Sequence, residues 1–294
     1  MLMVSSFRPN ISSFSLSGFI QITRFWNLLI IVFTQYFTAL FLVDSGEGPY
    51  YYLTHSKLFL LCLSSVFIAA AGYIINDYYD VKIDLINKPQ RVIVGKMMKR
   101  RVAMVSHVVI SGLGIILGGL LSPEIGFINL FAVGFLWLYS NQLKRMPLVG
   151  NFVVAALTGL AVYIVDVLFG THNIMILAFA VFAFSFSLIR EVIKDIEDVK
   201  GDATFGCKTL PVLYGVRKTK NMLYIFSILF LMGMCFLAYT FVGTELTLFC
   251  SGLVFPLGFI AFKLKRADTV RHYYQLSKYC KLIMLIGIFS MVFF

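Results

Sequence analysis

Residues 71–84 read AGYIINDYYDVKID, an apolar run that ends in three aspartates, Asp77, Asp80 and Asp84. Residues 190–202 read REVIKDIEDVKGD and repeat the same spacing 118 positions later with Asp195, Asp198 and Asp202. On a helix turning about 100° per residue, offsets of three and seven place each trio within an arc of about 60°. Each trio is therefore one acidic stripe closing an apolar helix. These two windows hold eight of the chain's 14 acidic residues. Glu191 joins the second stripe, whereas Glu197 is expected to point away from it. A long basic loop follows each stripe, so the chain reads as two related halves.

Composition sets what surrounds the stripes. Of 294 residues, 60% are apolar or aromatic and 13% are charged, against about 25% charged in an ordinary soluble domain. With a mean hydropathy of +0.88, a water-soluble globular protein is excluded. Apolar runs of span length predict nine helices, at 23–43, 58–79, 102–121, 125–143, 149–169, 173–194, 220–241, 246–262 and 277–294. Nine spans of about 20 residues use about 180 residues and leave no room for a separate soluble domain. The expectation is one all-α integral membrane domain over residues 1–294, with residues 1–20 a polar N-terminal tail. A cleavable signal peptide is not expected, because the first apolar run follows a Ser-rich stretch and continues to span length. The five cysteines are scattered and indicate neither a disulfide framework nor a zinc site.

Lysine and arginine collect in cytoplasmic loops and so orient a bundle. Of the 25 basic residues, seven follow predicted helix 2 and two follow helix 4. Seven more lie at the end of helix 6 and after it, and six lie between helices 8 and 9. Lys57 alone falls between helices 1 and 2. The N-terminus is accordingly expected inside, with both acidic stripes on the cytoplasmic side of a membrane, most simply a prokaryotic plasma membrane. The net charge of +11 belongs to that face. It suits anionic headgroups or a phosphorylated substrate and needs no nucleic acid. No obligatory protein partner is evident.

Two opposed rows of carboxylates repel unless cations sit between them. Hard oxygen ligands of this kind suit Mg²⁺, which takes one or two carboxylates together with water and phosphate oxygens. Lys88, Arg91, Lys144 and Arg145 are placed to reach phosphate oxygens that the metal leaves. The implied ligand is a diphosphate at headgroup level with its tail in the bundle, most simply a prenyl diphosphate. Metal ions would promote ionisation of its allylic C–O bond. A dry cavity lined from the chain's 30 Phe, 15 Tyr and two Trp would shelter the cation.

Plainer readings stand beside these. Orientation alone accounts for most of the loop bases. Asn76 is either a ligand at the edge of the first stripe or an ordinary helix-end hydrogen bonder. Arg24 and Asn27, one turn apart at the start of helix 1, either meet ligand or, for Arg24, reach up to the interface. Glu191 either orients or deprotonates an acceptor hydroxyl or pairs with a neighbouring base. Asp166 reads as an interfacial residue at the outer end of helix 5. A divalent-cation or phosphate transporter is the rival class, but transporters place their binding groups near the bilayer midplane, and both stripes lie at one face.

The two stripes resemble the NDxxDxxxD and DxxDxxxD motifs of the UbiA superfamily of intramembrane prenyltransferases, and the resemblance covers nearly the whole chain. NKPQRVIVG is similar to the family segment with a substrate-contacting arginine, here Arg91. GCKTLPVLYG resembles its G-x-x-T-L-P segment, with Gly206, Thr209, Leu210, Pro211 and Gly215 in place. LYSNQLKR is similar to its Tyr and Lys stretch, which implies Tyr139 and Lys144 near the diphosphate. Ser140 stands where many members have Pro, and the Lys follows five residues after the Tyr instead of four. The resemblance implies nine helices around a central cavity open sideways to lipid, with Mg²⁺ and the diphosphate between the stripes. It further implies Asp77, Asp80, Asp84, Asp195, Asp198 and Asp202 as metal carboxylates. Within the family, the wording is most similar to members that join a second geranylgeranyl chain to geranylgeranylglyceryl phosphate by an ether bond. Members that prenylate hydroxybenzoate or dihydroxynaphthoate share the same metal chemistry.

Overall fold

The computed structural model describes residues 15–43, 46, 48–241 and 243–294. They form α1 (Leu16–Ile22), α2 (Phe25–Leu42), α3 (Pro49–Thr54), α4 (Ser56–Asn87), α5 (Arg100–Leu121), α6 (Pro123–Asn141), α7 (Val149–Phe169), α8 (Ile174–Thr204), α9 (Leu210–Thr240), α10 (Thr244–Lys265) and α11 (Val270–Ser290). Among the described residues, nine helices are long and apolar enough to cross a membrane, all but α1 and α3. The number of spans is as expected, but several ends are not. α4 and α8 run eight and ten residues past their predicted ends, through Asn87 and Thr204. Hydropathy marks the part of a helix that lies in lipid, whereas the acidic stripes continue the same hydrogen-bonded helix beyond it.

Other departures have equally local causes. α9 begins at Leu210, ten residues early, and turns at Gly215 (φ 80°, ψ 159°), a conformation that glycine adopts without a steric penalty. Residues 16–20 of the expected polar tail belong to α1, Leu16–Ile22; residues 1–14 lie outside the described residues. Asp166 is buried instead of interfacial. It accepts hydrogen bonds from Thr171 Oγ1 at 2.6 Å and the Asn173 backbone N–H at 3.2 Å, and so organises the α7–α8 turn at the end of the bundle opposite the stripes.

α8 is the centre of the bundle, with 72% of its most apolar stretch buried against 17% for α9. Lipid tails are as apolar as leucine, so membrane helices associate through close packing and interhelical hydrogen bonds. Gly159 of α7 illustrates the first, since an added Cβ would stand 2.8 Å from the Ala180 carbonyl of α8. Asn129 of α6 illustrates the second, donating to Ser64 Oγ of α4 at 2.6 Å and to the Gly114 carbonyl of α5 at 3.1 Å. An apolar cavity of about 100 Å³ lies between α2, α7, α8 and α11.

Above the stripes, the connections form a packed cap. Ile93, Val94 and Met98, from the loop after α4, are buried against Ile22 of α1, Ile74 of α4 and Ala103 of α5. The Lys208 N–H, after α8, donates to the Arg145 carbonyl at 2.8 Å. The ends of α4 and α8 are joined directly. Asn87 donates to the Asp198 carbonyl at 3.3 Å and accepts from the Gly201 N–H at 3.0 Å. A Cβ on Gly201 would stand 2.3 Å from Asn87 Oδ1. Gly201→Ala is therefore expected to lower thermal stability in detergent by about 1–3 kcal/mol, the cost of the two hydrogen bonds. Adding Asn87→Ala to Gly201→Ala should recover part of that loss; strictly additive losses would contradict the joint.

Candidate active site

The first stripe is the last three turns of α4. Thr23 ends α1, and Arg24 then adopts a left-handed backbone (φ 53°, ψ 55°) before α2 begins. A non-glycine residue in that region is uncommon and tends to mark functional positions. Here the break aims the guanidinium at the stripe. Arg24 Nη2 donates to Asp77 Oδ1 at 2.8 Å, and the group lies 4.7 Å from the centre of the Tyr73 ring. One turn along α2, Asn27 Oδ1 accepts from Lys281 Nζ of α11 at 2.6 Å.

Lys144 reaches the same stripe from the connection between α6 and α7, where Leu143–Arg145 form a single 3-10 turn. Its ammonium donates to Asp80 Oδ1 at 2.5 Å and to Asn76 Oδ1 at 3.4 Å. Gly150 makes this possible, because a Cβ there would stand 2.8 Å from Lys144 Cα and 2.9 Å from the Leu143 carbonyl. The next residue, Asn151, serves the second stripe, with Nδ2 donating to Asp195 Oδ2 at 2.8 Å. The start of α7 thus supports both rows at once.

Lys88, just past α4, bridges to α8, with Nζ 2.8 Å from Asp198 Oδ2 and 3.3 Å from Glu197 Oε1. Burial alone would lower its pKa, but Asp198 and Glu197 outweigh burial and hold the ammonium above the ordinary lysine value. The expectation that Glu197 points away is corrected here. Although it lies off the stripe, Lys88 approaches α8 on the side that Glu197 and Asp198 share. Thr209 Oγ1 donates to Asp202 Oδ2 at 3.3 Å. Asp80 and Asp202 act electrostatically on each other, as do Asp77 and Asp84 within the first row. Tyr139, near the end of α6, lies within electrostatic range of Asp80, Asp195, Glu191 and Arg24.

Glu191 lies deeper along α8, buried, and is paired with Arg190 Nη1 at 2.7 Å and Lys194 Nζ at 2.8 Å. Arg91 ends a short 3-10 turn, Pro89–Arg91, and its side chain lies outside what is described. A cavity of about 490 Å³ opens on the outer side of the Lys88 bridge, between the end of α4 and the start of α11, and none of the six aspartates lines it.

Sequence reasoning missed Asn87, Asn151 and the bridge to Glu197. A signal existed for Asn151, since an amide at the start of an apolar span is rarely left without a partner. The partners of Lys88 and Lys144 carried no such signal. Both lysines were expected on phosphate, and both engage carboxylates of the stripes.

The donors fit a hard divalent cation. They are carboxylate and amide oxygens, and among the described residues no group of three or more His, Cys, Asp or Glu forms a ready metal cage. As they stand, Asp77, Asp80, Asp195 and Asp198 are paired with Arg24, Lys144, Asn151 and Lys88, and a divalent cation would share or replace those partners.

Among the described residues, nine helices long enough to span a membrane carry the two aspartate rows at one end of the bundle. The sequence profile of the UbiA prenyltransferase family matches residues 28–286, and the chain belongs to that family; it is a prenyltransferase, not a transporter. It is 39% identical over 199 residues to a digeranylgeranylglyceryl phosphate synthase of Sulfurisphaera tokodaii, covering 62% of this chain and 72% of that one. A synthase of the same name from Methanobrevibacter smithii is 30% identical over 283 residues, covering 92% and 95%. A UbiA homologue from Archaeoglobus fulgidus, solved bound to GPP and Mg²⁺, superposes with a TM-score of 0.71 at 16% identity, covering 94% of this chain and all of that one. That likeness establishes the fold.

Gly150→Ala should push the 143–145 turn off α7 and reduce prenyl transfer more than about tenfold, since misplacement by about 1 Å can cost 100-fold. Gly134→Ala, where an added Cβ meets nothing within 4 Å, is the matched control. Equal activity of the two variants would show that the turn does not position Lys144 for the reaction.

Proposed function

We propose that this protein transfers a geranylgeranyl group from its diphosphate to geranylgeranylglyceryl phosphate, forming an ether-linked lipid at the cytoplasmic face of a prokaryotic plasma membrane. The observation that carries this reading is the joint between the rows. Two aspartate stripes 118 positions apart in sequence meet at one end of the bundle, where Lys88 and Lys144 are interleaved with their carboxylates. The names of the relatives support the acceptor, and the distribution of Lys and Arg supports the orientation.

In this reading, Asp77, Asp80, Asp84, Asp195, Asp198 and Asp202 hold Mg²⁺ directly or through water, and Asn76 completes the first cluster. Bound Mg²⁺ supplies neutralisation of the diphosphate charge. Lys88, Arg91, Lys144 and Tyr139 contact the remaining phosphate oxygens. Each lysine ammonium already rests on a carboxylate, so it needs only to exchange one anionic partner for another as the headgroup arrives. Arg24 holds Asp77 in place and, with Asn27, fixes the start of α2 beside the site. The acceptor hydroxyl oxygen then bonds to C1 of the prenyl chain as the C1–O bond to diphosphate breaks. Glu191 orients that hydroxyl by accepting its hydrogen bond, and takes up its proton as the ether forms.

The test uses purified protein in nanodiscs with Mg²⁺ and radiolabelled geranylgeranyl diphosphate. Geranylgeranylglyceryl phosphate, 4-hydroxybenzoate and dihydroxynaphthoate are offered in parallel, and products are identified by mass. The expected product is the diether phosphate alone, lost on chelation and restored by Mg²⁺. An aromatic prenyl product would overturn the acceptor assignment. Asp77→Ala and Asp195→Ala should each reduce transfer at least about 100-fold, or about 2.7 kcal/mol of barrier, in protein that remains folded. Normal turnover by either would remove the rows from the site.

A further inference from the structure

Below the aspartate rows, a second charged cluster lies at the level of Glu191. α8 supplies Arg190 and Lys194, each ion-paired with the buried Glu191. α11 supplies Lys281, whose ammonium is held by Asn27 of α2. α8 and α11 pack closely one to two turns deeper, where a Cβ on Gly287 would meet the Phe182 ring and Ala183, Met284 and Ile30 line one cavity, so Arg190 and Lys194 stand on the same rim of α2, α8 and α11 as Lys281. Within this cluster three cations face one carboxylate, an excess of two before Asp195, next to Lys194 in the chain and held by Asn151, is counted. The other nearby base, Arg24, is committed to Asp77.

Charges at this depth are costly. Arg190 lies five residues further into α8 than Asp195, about 7.5 Å along the axis, and ionisable groups within a span are rare and usually functional. Arg190 Nε is buried with no hydrogen-bond partner, and an unmet guanidinium N–H carries a desolvation cost that an anion would relieve. Nη1 engages Glu191, whereas Nε belongs to the other edge of the guanidinium fork, the edge that grips a phosphate with two parallel bonds. About a quarter of the side chain is open, at 28%, and presenting Nε to an anion requires the guanidinium to turn about its contact with Glu191.

The surroundings continue the pattern toward the bilayer interior. One turn beyond Asn27 come Ile30 and Ile31, one turn beyond Lys281 comes Met284, and two turns before Arg190 comes Ala183. All four line the apolar cavity of about 100 Å³. The same three helices therefore offer a basic rim and, directly beneath it, an apolar slot. That combination fits an amphiphile with a doubly charged head, and a phosphomonoester carries about −1.5 to −2 at neutral pH.

We propose that Arg190, Lys194 and Lys281 form a second phosphate subsite, separate from the diphosphate site, that takes the phosphomonoester head of the acceptor lipid while its chain lies along α2 and α11. This rests on the glycerol-phosphate acceptor proposed above. Within one glycerol unit the phosphate and the reacting hydroxyl are only a few bonds apart. Glu191 can therefore accept the hydroxyl proton while its two paired bases hold the phosphate.

The experiment compares geranylgeranylglyceryl phosphate with the dephosphorylated geranylgeranylglycerol as acceptors, at saturating geranylgeranyl diphosphate, in nanodiscs of a neutral lipid. The wild-type protein is expected to favour the phosphorylated acceptor strongly. Lys281→Gln, at an exposed position, should raise KM for that acceptor about tenfold, the scale of one hydrogen bond to a charged group. It should move KM for the diphosphate less than about twofold and leave the dephosphorylated acceptor unaffected. Lys194→Gln is read by KM for the phosphorylated acceptor alone, because Lys194 also pairs with Glu191 and its loss is expected to lower kcat with either acceptor. Arg190→Lys, which keeps charge but loses the fork, should raise the same KM less. An unchanged acceptor KM in both Gln variants, or an equal loss with both acceptors in Lys281→Gln, would overturn the subsite and leave the transferase reading intact. Failure of the wild-type protein to make any ether product from the phosphorylated acceptor would instead remove the acceptor reading and this subsite with it.

Discussion

Carboxylates at the edge of a bilayer have to be matched by cations or hydrogen-bond donors, and the aspartate-bearing end of this bundle is organised by that requirement. Four separate pieces of chain meet it, three with a cation and one with an amide. The left-handed break before α2 sends Arg24 to Asp77, and the 143–145 turn sends Lys144 to Asp80. Lys88 leaves the end of α4 for Asp198, and Asn151 enters at the start of α7 for Asp195. Glycine makes two of these meetings sterically possible. Gly150 lets the turn lie on α7, and Gly201 lets Asn87 lie on α8. The loops are therefore packed structure, and the aspartate rows are held at fixed separation before any ligand is considered.

In the proposed reaction the same arrangement would let the diphosphate bind and still leave. Lysines that already rest on carboxylates lose little by moving to phosphate, since one anion replaces another at similar depth. Arginine behaves differently. Its fixed fork makes Arg24 a brace for Asp77 and gives Arg190 an edge suited to phosphate. Along α8 the chemistry is layered, with the metal-suited row outermost, Glu191 and its bases beneath, and the Phe- and Ala-rich apolar stretch below them. The layering places a diphosphate, a hydroxyl and a hydrocarbon chain in the order in which the proposed reaction needs them.

Much of this was legible in sequence, and for specific reasons. The aspartate spacing is a helical period, so three carboxylates on one face required only the count of residues between them. The span number followed from apolar length, because lipid imposes it. What sequence did not disclose was whatever depended on two segments meeting. Asn151 has a partner 44 residues away and Asn87 one 111 residues away, and no local pattern announces either. Glu197 was misassigned because a helical wheel describes one helix in isolation, and the approach of Lys88 from α4 decided its role. The extended ends of α4, α8 and α11 were missed because hydropathy measures the solvent around a helix and not its length.

The central claim is that both aspartate rows grip one metal–diphosphate unit. Electron paramagnetic resonance with Mn²⁺ in place of Mg²⁺ and a non-hydrolysable prenyl diphosphate analogue tests it directly, through hyperfine coupling between the metal and ³¹P. The account predicts phosphorus-coupled Mn²⁺ in the wild-type protein, lost on neutralising either row alone, as Asp77→Asn with Asp80→Asn or as Asp195→Asn with Asp198→Asn. Undiminished coupling after removal of one whole row would contradict it.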